Sequence, residues 1–258
     1  GAPRLTLPTP AAEDLNPNVV VVRAYFSDPK MVDSLMTWTE PWEVDFEKGF
    51  AMLAVSQADL NLLRALGFDV VIDEEMTAAI RRREPLEGQV TGIPGYPCYR
   101  TVEETYATAQ AIVDANPTLA SWVDIGDSWE KVAGLGGYDL YVLKLTSSAV
   151  PGPKPKIFIM SSMHAREYTP AELNTRFAEY LINNYGTDAD VTWLLDYHEI
   201  HLLLQANPDG RKQAEMGQLW RKNTNQNYCG PTSTSRGADL NRNYSFQWGC
   251  CGGSSSNQ

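Results

Sequence analysis

Apolar and polar positions alternate with two different periods along this chain. The first stretch, residues 1–17, is proline-rich and carries few apolar anchors, which predicts an extended lead-in rather than a folded element. From Val19 the pattern becomes regular. Val19–Phe26 has the composition of a strand, Asp28-Pro29 opens a helix reaching about Trp38, and Trp42–Val55 holds one or two more strands. Ser56-Gln57-Ala58-Asp59 starts a helix ending near Gly67, and Asp69–Asp73 is again strand-like. These elements predict a compact α+β open sandwich of about 60 residues.

A charged stretch, Glu74–Glu87, and a Gly-Pro-rich segment, Gly88–Pro97, follow. They read as a connector, with the domain boundary at residue 88. Beyond it, Thr101–Ala115 is a helix with Glu103 and Glu104 in its first turn, where carboxylates suit the positive end of the dipole. Trp122–Ser128, Tyr138–Leu145, Lys156–Ser162 and His198–Gln205 read as strands, the third apolar enough to suggest burial. Thr169-Pro170-Ala171-Glu172 has the form of a capping box and predicts a helix to about Asn184, and another helix covers about Gly210–Gln218. Strands alternating with helices predict an α/β layer structure over residues 89–258.

Composition narrows the function classes. At 258 residues, 43% hydrophobic and 21% charged, the chain is of ordinary globular type. A net charge of -11 argues against nucleic-acid binding, which calls for clustered Lys and Arg. No apolar run approaches the ~18 residues of a membrane span. The start, Gly1-Ala2-Pro3-Arg4, has no features of an export signal. The four cysteines, Cys98, Cys229, Cys250 and Cys251, allow three pairings, of which Cys229 with Cys250 or Cys251 would staple a polar loop as in extracellular enzymes.

Candidate chemistry concentrates where the third strand of the second region runs into its helix. His164 and Glu167, three positions apart at such a turn, can face one point, and an imidazole with a carboxylate suits zinc. That spacing alone says little. It is joined in order by Asn207-Pro208-Asp209-Gly210, Trp220-Arg221-Lys222-Asn223 and Gly237-Ala238-Asp239-Leu240-Asn241-Arg242-Asn243-Tyr244. With His164-Ala165-Arg166-Glu167, these segments resemble the ordered motifs of the carboxypeptidase A/B family of zinc exopeptidases. The resemblance covers about residues 95–258 well and the N-terminal region loosely.

The resemblance implies a mixed-sheet α/β zinc-exopeptidase domain, incomplete at its C-terminus, preceded over residues 1–88 by an α+β propeptide-like domain. It implies His164 and Glu167 as zinc ligands and Asp239 as the carboxylate orienting the His164 ring. Arg221 would stabilise the oxyanion, while Arg166, Asn241 and Arg242 would grip substrate, the last two at its free C-terminal carboxylate. Arginine suits that work because its planar fork donates two parallel hydrogen bonds. The implied enzyme is a secreted monomer acting on peptide or protein C-termini with Zn2+ as cofactor, without nucleic acid or membrane as partner. Arg81-Arg82-Arg83 is then either an activation cleavage site or a solvated helix end.

The family's pattern also calls for a second histidine ligand, a glutamate general base and a tyrosine farther along the chain, beyond Gln258. His198 and His201 fall on opposite faces of one predicted strand and read as structural. Two other functions share these motifs: an amidase acting on N-acyl amino acids or cell-wall peptides, and a non-catalytic module that binds carboxylates without holding zinc.

Overall fold

The computed structural model describes residues 19–36, 39, 41–81, 85–227, 237–246 and 248. The chain divides into two compact units, Gly1–Arg82 and Arg83–Gln258.

In the first unit β1 (Val20–Tyr25), α1 (Lys30–Leu35), β2 (Glu43–Asp45), β3 (Phe50–Val55), α2 (Gln57–Ala65), β4 (Asp69–Ile72) and α3 (Glu74–Arg81) follow in order. The strands form an antiparallel sheet in the order β2-β3-β1-β4. Val22, Ala24, Leu53 and Val55 from the sheet pack with Leu35, Leu60 and Leu63 from the helices. Ser56 starts α2 through a reciprocal capping box with Asp59, which satisfies two of the helix's orphan donors. The helix α3 occupies ground that the charged composition assigned to a connector. Glu74 and Glu75 lie in its first turn, and Thr77 Oγ1 accepts from Val21 N at 2.9 Å. Arg81 is the last residue of α3, and Arg82 and Arg83 lie outside the described residues, as do Cys229, Cys250 and Cys251. Cys98 is exposed with a free thiol.

The second unit continues with α4 (Val102–Ala115), β5 (Ala120–Asp127), α5 (Trp129–Val132), β6 (Asp139–Leu145), β7 (Lys156–Met160), α6 (Tyr168–Asn184), α7 (Ala189–Tyr197), β8 (Glu199–Leu203) and α8 (Pro208–Glu215). A 3-10 turn, Leu240–Arg242, follows. Ahead of α4, the Gly-Pro-rich segment is part of this unit: Ile93 is buried, and Gly92 N donates to Glu104 Oε1 at 3.0 Å. The sheet order is β5-β6-β8-β7, antiparallel except for the parallel pair β7–β8. The α/β layer structure is the one that the alternating pattern predicted, and the mixed sheet is the one that the family resemblance implied. Leu143, Leu145, Ile200 and Leu202 pack against Ala109 and Ile112 of α4 and Ala178 and Leu181 of α6.

Two expectations are corrected by these elements, and one helix is new. Among the described residues β7 is the last strand of its sheet, and Ile157 and Phe158 on it are exposed, where its apolar composition had suggested burial. Thr169 does not cap α6. That helix begins two residues earlier, at Tyr168 with Glu167 at its N-cap, and Glu172 is drawn instead to Arg100 Nη1 at 2.9 Å and Arg176 Nε at 2.7 Å. Finally, α7 is a helix with no counterpart in the sequence reading, started by Asp188 accepting from Asp190 N and Val191 N.

On β8, Glu199 gathers His201 Nε2 at 3.0 Å, Lys144 Nζ at 3.1 Å and Lys156 Nζ at 3.5 Å. The hydrogen bond with His201, followed by the lysines, outweighs burial and holds the Glu199 pKa at about 2, against 4.5 ordinarily. A depressed folded-state pKa stabilises the fold above the unfolded value and ceases to do so as pH falls through the folded one. Between pH 4.5 and about 2 the melting temperature should therefore fall more steeply for the parent than for Glu199→Gln. Thermal melts of both proteins across that window check this.

Candidate metal centre

The site is built where two parallel strands end side by side. Pairing of β7 with β8 continues past the strands: Ser161 N donates to Leu203 O at 2.9 Å, and Ala206 N donates to Ser161 O at 3.0 Å. The loop carrying His164–Glu167 and the loop leading into α8 thus leave the same end of the sheet, the end where ligands bind in open α/β folds.

Asn207, 3% exposed, fastens these loops. Its Nδ2 donates to Met163 O at 3.2 Å and to Lys222 O at 2.9 Å, while its Oδ1 accepts from Gly210 N at 3.1 Å and so caps α8. A Cβ on Gly210 would strike Lys222 O and the Asn207 side chain, so only glycine fits there. Ala165 N donates to Arg221 O at 3.1 Å, and Asn223 pairs with Ala238 through two hydrogen bonds, 3.0 Å and 2.7 Å. Gly237, at φ 104, presses against Asn223 in a conformation that L side chains rarely adopt. Four segments distant in sequence meet in this way.

At their junction His164 Nδ1 lies 2.8 Å from Glu167 Oε1, and on the other side of the ring Nε2 lies 3.5 Å from Asp239 Oδ1. The latter is longer than a well-formed hydrogen bond, and Nε2 is a buried atom with no hydrogen-bond partner among the described residues. Asp239 Oδ2 accepts from Arg221 Nε at 2.7 Å, and Arg221 Nη1 stands 3.9 Å from Glu167 Oε1. Burial opposes charge at all three titrating groups, and their neighbours overcome it. Asp239 and Glu167 raise the His164 pKa, and His164 and Arg221 hold both carboxyls below the ordinary range, Asp239 strongly so.

The donor set suits zinc. Nδ1 and the carboxylate converge, whereas ligands at about 2.0–2.2 Å on a tetrahedral ion stand roughly 3.3 Å apart, a difference that rotation of the partly exposed Glu167 can absorb. The other ring nitrogen faces a fixed anion, the arrangement that orients a metal-binding imidazole. Among the described residues no group of three or more His, Cys, Asp or Glu is placed to hold a metal. His198 packs edge-on against Trp193, their ring centroids 4.7 Å apart, and His201 pairs with Glu199.

The structure brings together His164, Glu167, Arg221 and Asp239. Arg166, half-buried, lies in the same loop and helps to lower the Glu167 pKa. Asn241 and Arg242 follow in the 3-10 turn, where Asn241 N donates to Asp239 Oδ1 at 2.9 Å and Arg242 Nη1 donates to Asn241 O at 3.0 Å. The clamp formed by Asn207 was within reach of sequence reasoning, since an Asn ahead of Pro is a capping signal. Ser162 was not. It sits at φ 57, buried, with its hydroxyl unpartnered among the described residues.

An imidazole and a carboxylate converging at the ends of parallel strands, each backed by a countercharge, form a metal-donor site on an α/β scaffold. Residues 105–258, more than half of the chain, match the family model described as zinc carboxypeptidase. The chain belongs to the zinc carboxypeptidase family. It is 35% identical over 162 residues to the zinc carboxypeptidase of Saccharothrix mutabilis subsp. capreolus, covering 61% of this chain and 35% of that protein. It is 33% identical over 184 residues to human carboxypeptidase A1, covering 71% and 40%. The chain thus spans about a third to a half of the length of the curated relatives it matches. Among solved structures, carboxypeptidase A from Helicoverpa armigera shares the fold with a TM-score of 0.68 at 20% identity, covering 92% of this chain and 60% of that one. Thrombin activatable fibrinolysis inhibitor does so with 0.63 at 21%, covering 90% and 60%.

Ser162 offers a test of the loop's local strain. A left-handed conformation costs a non-glycine residue about 1–2 kcal/mol, and a buried unpaired hydroxyl a similar amount, against about 1 kcal/mol of chain entropy for introducing glycine. Ser162→Gly should raise stability by about 1 kcal/mol in urea unfolding.

Proposed function

We propose that this chain carries part of the active site of a secreted zinc carboxypeptidase, which hydrolyses the C-terminal peptide bond of peptides or proteins. The supporting observation is that Asp239 lies between the His164 ring and Arg221, so that one fixed anion orients both a metal donor and a cation beside it.

In this reading His164 and Glu167 hold the ion through Nδ1 and the carboxylate. Asp239 keeps the proton on Nε2 and leaves Nδ1 as the donor. Zinc, when bound, supplies Lewis acidity to a water and to the scissile carbonyl. Arg221, held through Nε by Asp239, stabilises the charge that develops on the carbonyl oxygen, a role worth of order 3 kcal/mol in comparable sites. Arg166, Asn241 and Arg242 bind substrate, with Asn241 and Arg242 on the free carboxylate. The third metal ligand and the general base are supplied by residues outside those described. Residues 1–88 act as a propeptide-like domain ahead of the enzyme domain of residues 89–258, and cysteines such as Cys229 form disulfides in an extracellular setting. The enzyme works as a monomer.

A second reading follows from the absence of a three-donor cluster among the described residues: a module that binds carboxylates without retaining zinc. Elemental analysis after dialysis separates the two. The metallopeptidase reading expects about one zinc per parent chain and none in His164→Ala. Zinc absent from both would leave the binding module. Carboxylate recognition is tested by calorimetry with an N-blocked amino acid. Arg242→Met should weaken its binding roughly tenfold or more, the loss expected for a charge-assisted hydrogen-bonded pair, and should leave the weaker binding of the corresponding amide unchanged.

A further inference from the structure

Arg211, on α8, is fully buried, an extreme place for a guanidinium. Its Nη1 donates to Glu167 O at 3.1 Å and reaches Ala165 O at 3.5 Å. The guanidinium lies over the Tyr168 ring, 4.4 Å from its centroid, and the Tyr168 hydroxyl donates to Ala214 O at 2.6 Å, returning to the same helix. Ala165, Ala214 and Trp220 pack around them as a small separate core.

The countercharge is thin. Glu215 Oε1 is 3.8 Å from Arg211 Nε and already accepts from Val102 N at 2.8 Å, while its Oε2 is engaged by Lys212 at 2.6 Å. Arg211 Nε and Nη2 meet no hydrogen-bond acceptor among the described residues. Burying a cation under these terms costs more than burying an apolar side chain of the same volume. Packing alone therefore gives no reason for arginine here. What arginine does and methionine could not is tie down the carbonyls of Ala165 and Glu167, two points on the loop between the proposed metal donors.

We propose that Arg211 is a positioning residue: it fixes the His164–Glu167 loop from the side of α8, so that Nδ1 of His164 and the carboxylate of Glu167 converge before any metal arrives. The inference rests on the reading of those two residues as metal ligands. It assigns α8 two tasks, because Asn207 at its N-cap holds the start of the loop at Met163 and Arg211, one turn on, holds its end.

The test uses the 258-residue chain and the variants R211M, R211K and H164A. Hydrogen exchange in the zinc-free chain reads loop order, and chelator competition reads zinc affinity. In R211M, residues 163–168 should exchange about tenfold faster or more while β8 keeps its protection. The zinc dissociation constant should rise about 10- to 100-fold, the range seen when support behind a ligand is lost. R211K, with one compact donor group, should fall between parent and R211M, and it carries the test by itself if R211M does not fold. Loop exchange and zinc affinity equal to the parent's in the variants would overturn the proposal. So would faster exchange spread evenly over the domain, the mark of a packing residue. A parent that holds no more zinc than H164A overturns it differently, by removing the metal reading on which it rests, even where R211M loosens the loop.

Discussion

The parallel pairing of β7 with β8 is the constraint from which the site follows. Parallel neighbours release their chains at the same end of a sheet, so the two loops that carry chemistry begin side by side without further arrangement. Ser161 prolongs the pairing by hydrogen bonds to Leu203 and from Ala206, and the chain diverges only at Ser162, where φ turns positive. Everything that gathers around His164 depends on this starting point. The remaining segments are then fastened by single polar residues, Asn207 to the Met163 and Lys222 carbonyls and Asn223 to Ala238.

Electrostatics sets the second level of order. Asp239 is buried and still ionised, because Arg221 and His164 flank its carboxylate. A fixed anion of this kind costs desolvation, which the surrounding cations offset, and it stands between the His164 ring and the Arg221 guanidinium. Arg211 repeats the theme from α8 with less compensation: two carbonyls, an aromatic face and a distant carboxylate. Both buried ionic groups act on the position of the same few atoms.

Much of the scaffold was legible in the chain itself. The strands β5, β6 and β8 and the helices α2 and α4 follow from period and from start signals such as Ser56 and the first-turn carboxylates Glu103 and Glu104, because local interactions with the backbone decide where those helices begin. The motifs around His164, Arg221 and Asp239 could be read in order, and the family they point to is the one the chain belongs to. Where local signals competed with tertiary partners, they lost. Glu172 had the spacing of a capping residue, yet Arg100, 72 positions away, holds it by a charge-assisted bond, and α3 forms from a stretch whose charges alone suggested a connector.

The sequence by itself determined which chemistry is present and the order in which it arrives: an imidazole, carboxylates and guanidinia on segments separated by tens of residues. Only the tertiary structure decided their geometry. Nothing in a His-x-x-Glu spacing says which ring nitrogen faces the carboxylate, nor that Asp239 and Arg221 share one bond of 2.7 Å. The place of β7 beside β8 was equally hidden, since an apolar strand reads the same wherever it stands in a sheet. The physical reason is common to these cases. Periodicity and capping are fixed by neighbours along the chain, whereas burial, charge pairing and strain at Ser162 or Arg211 are fixed by neighbours in space.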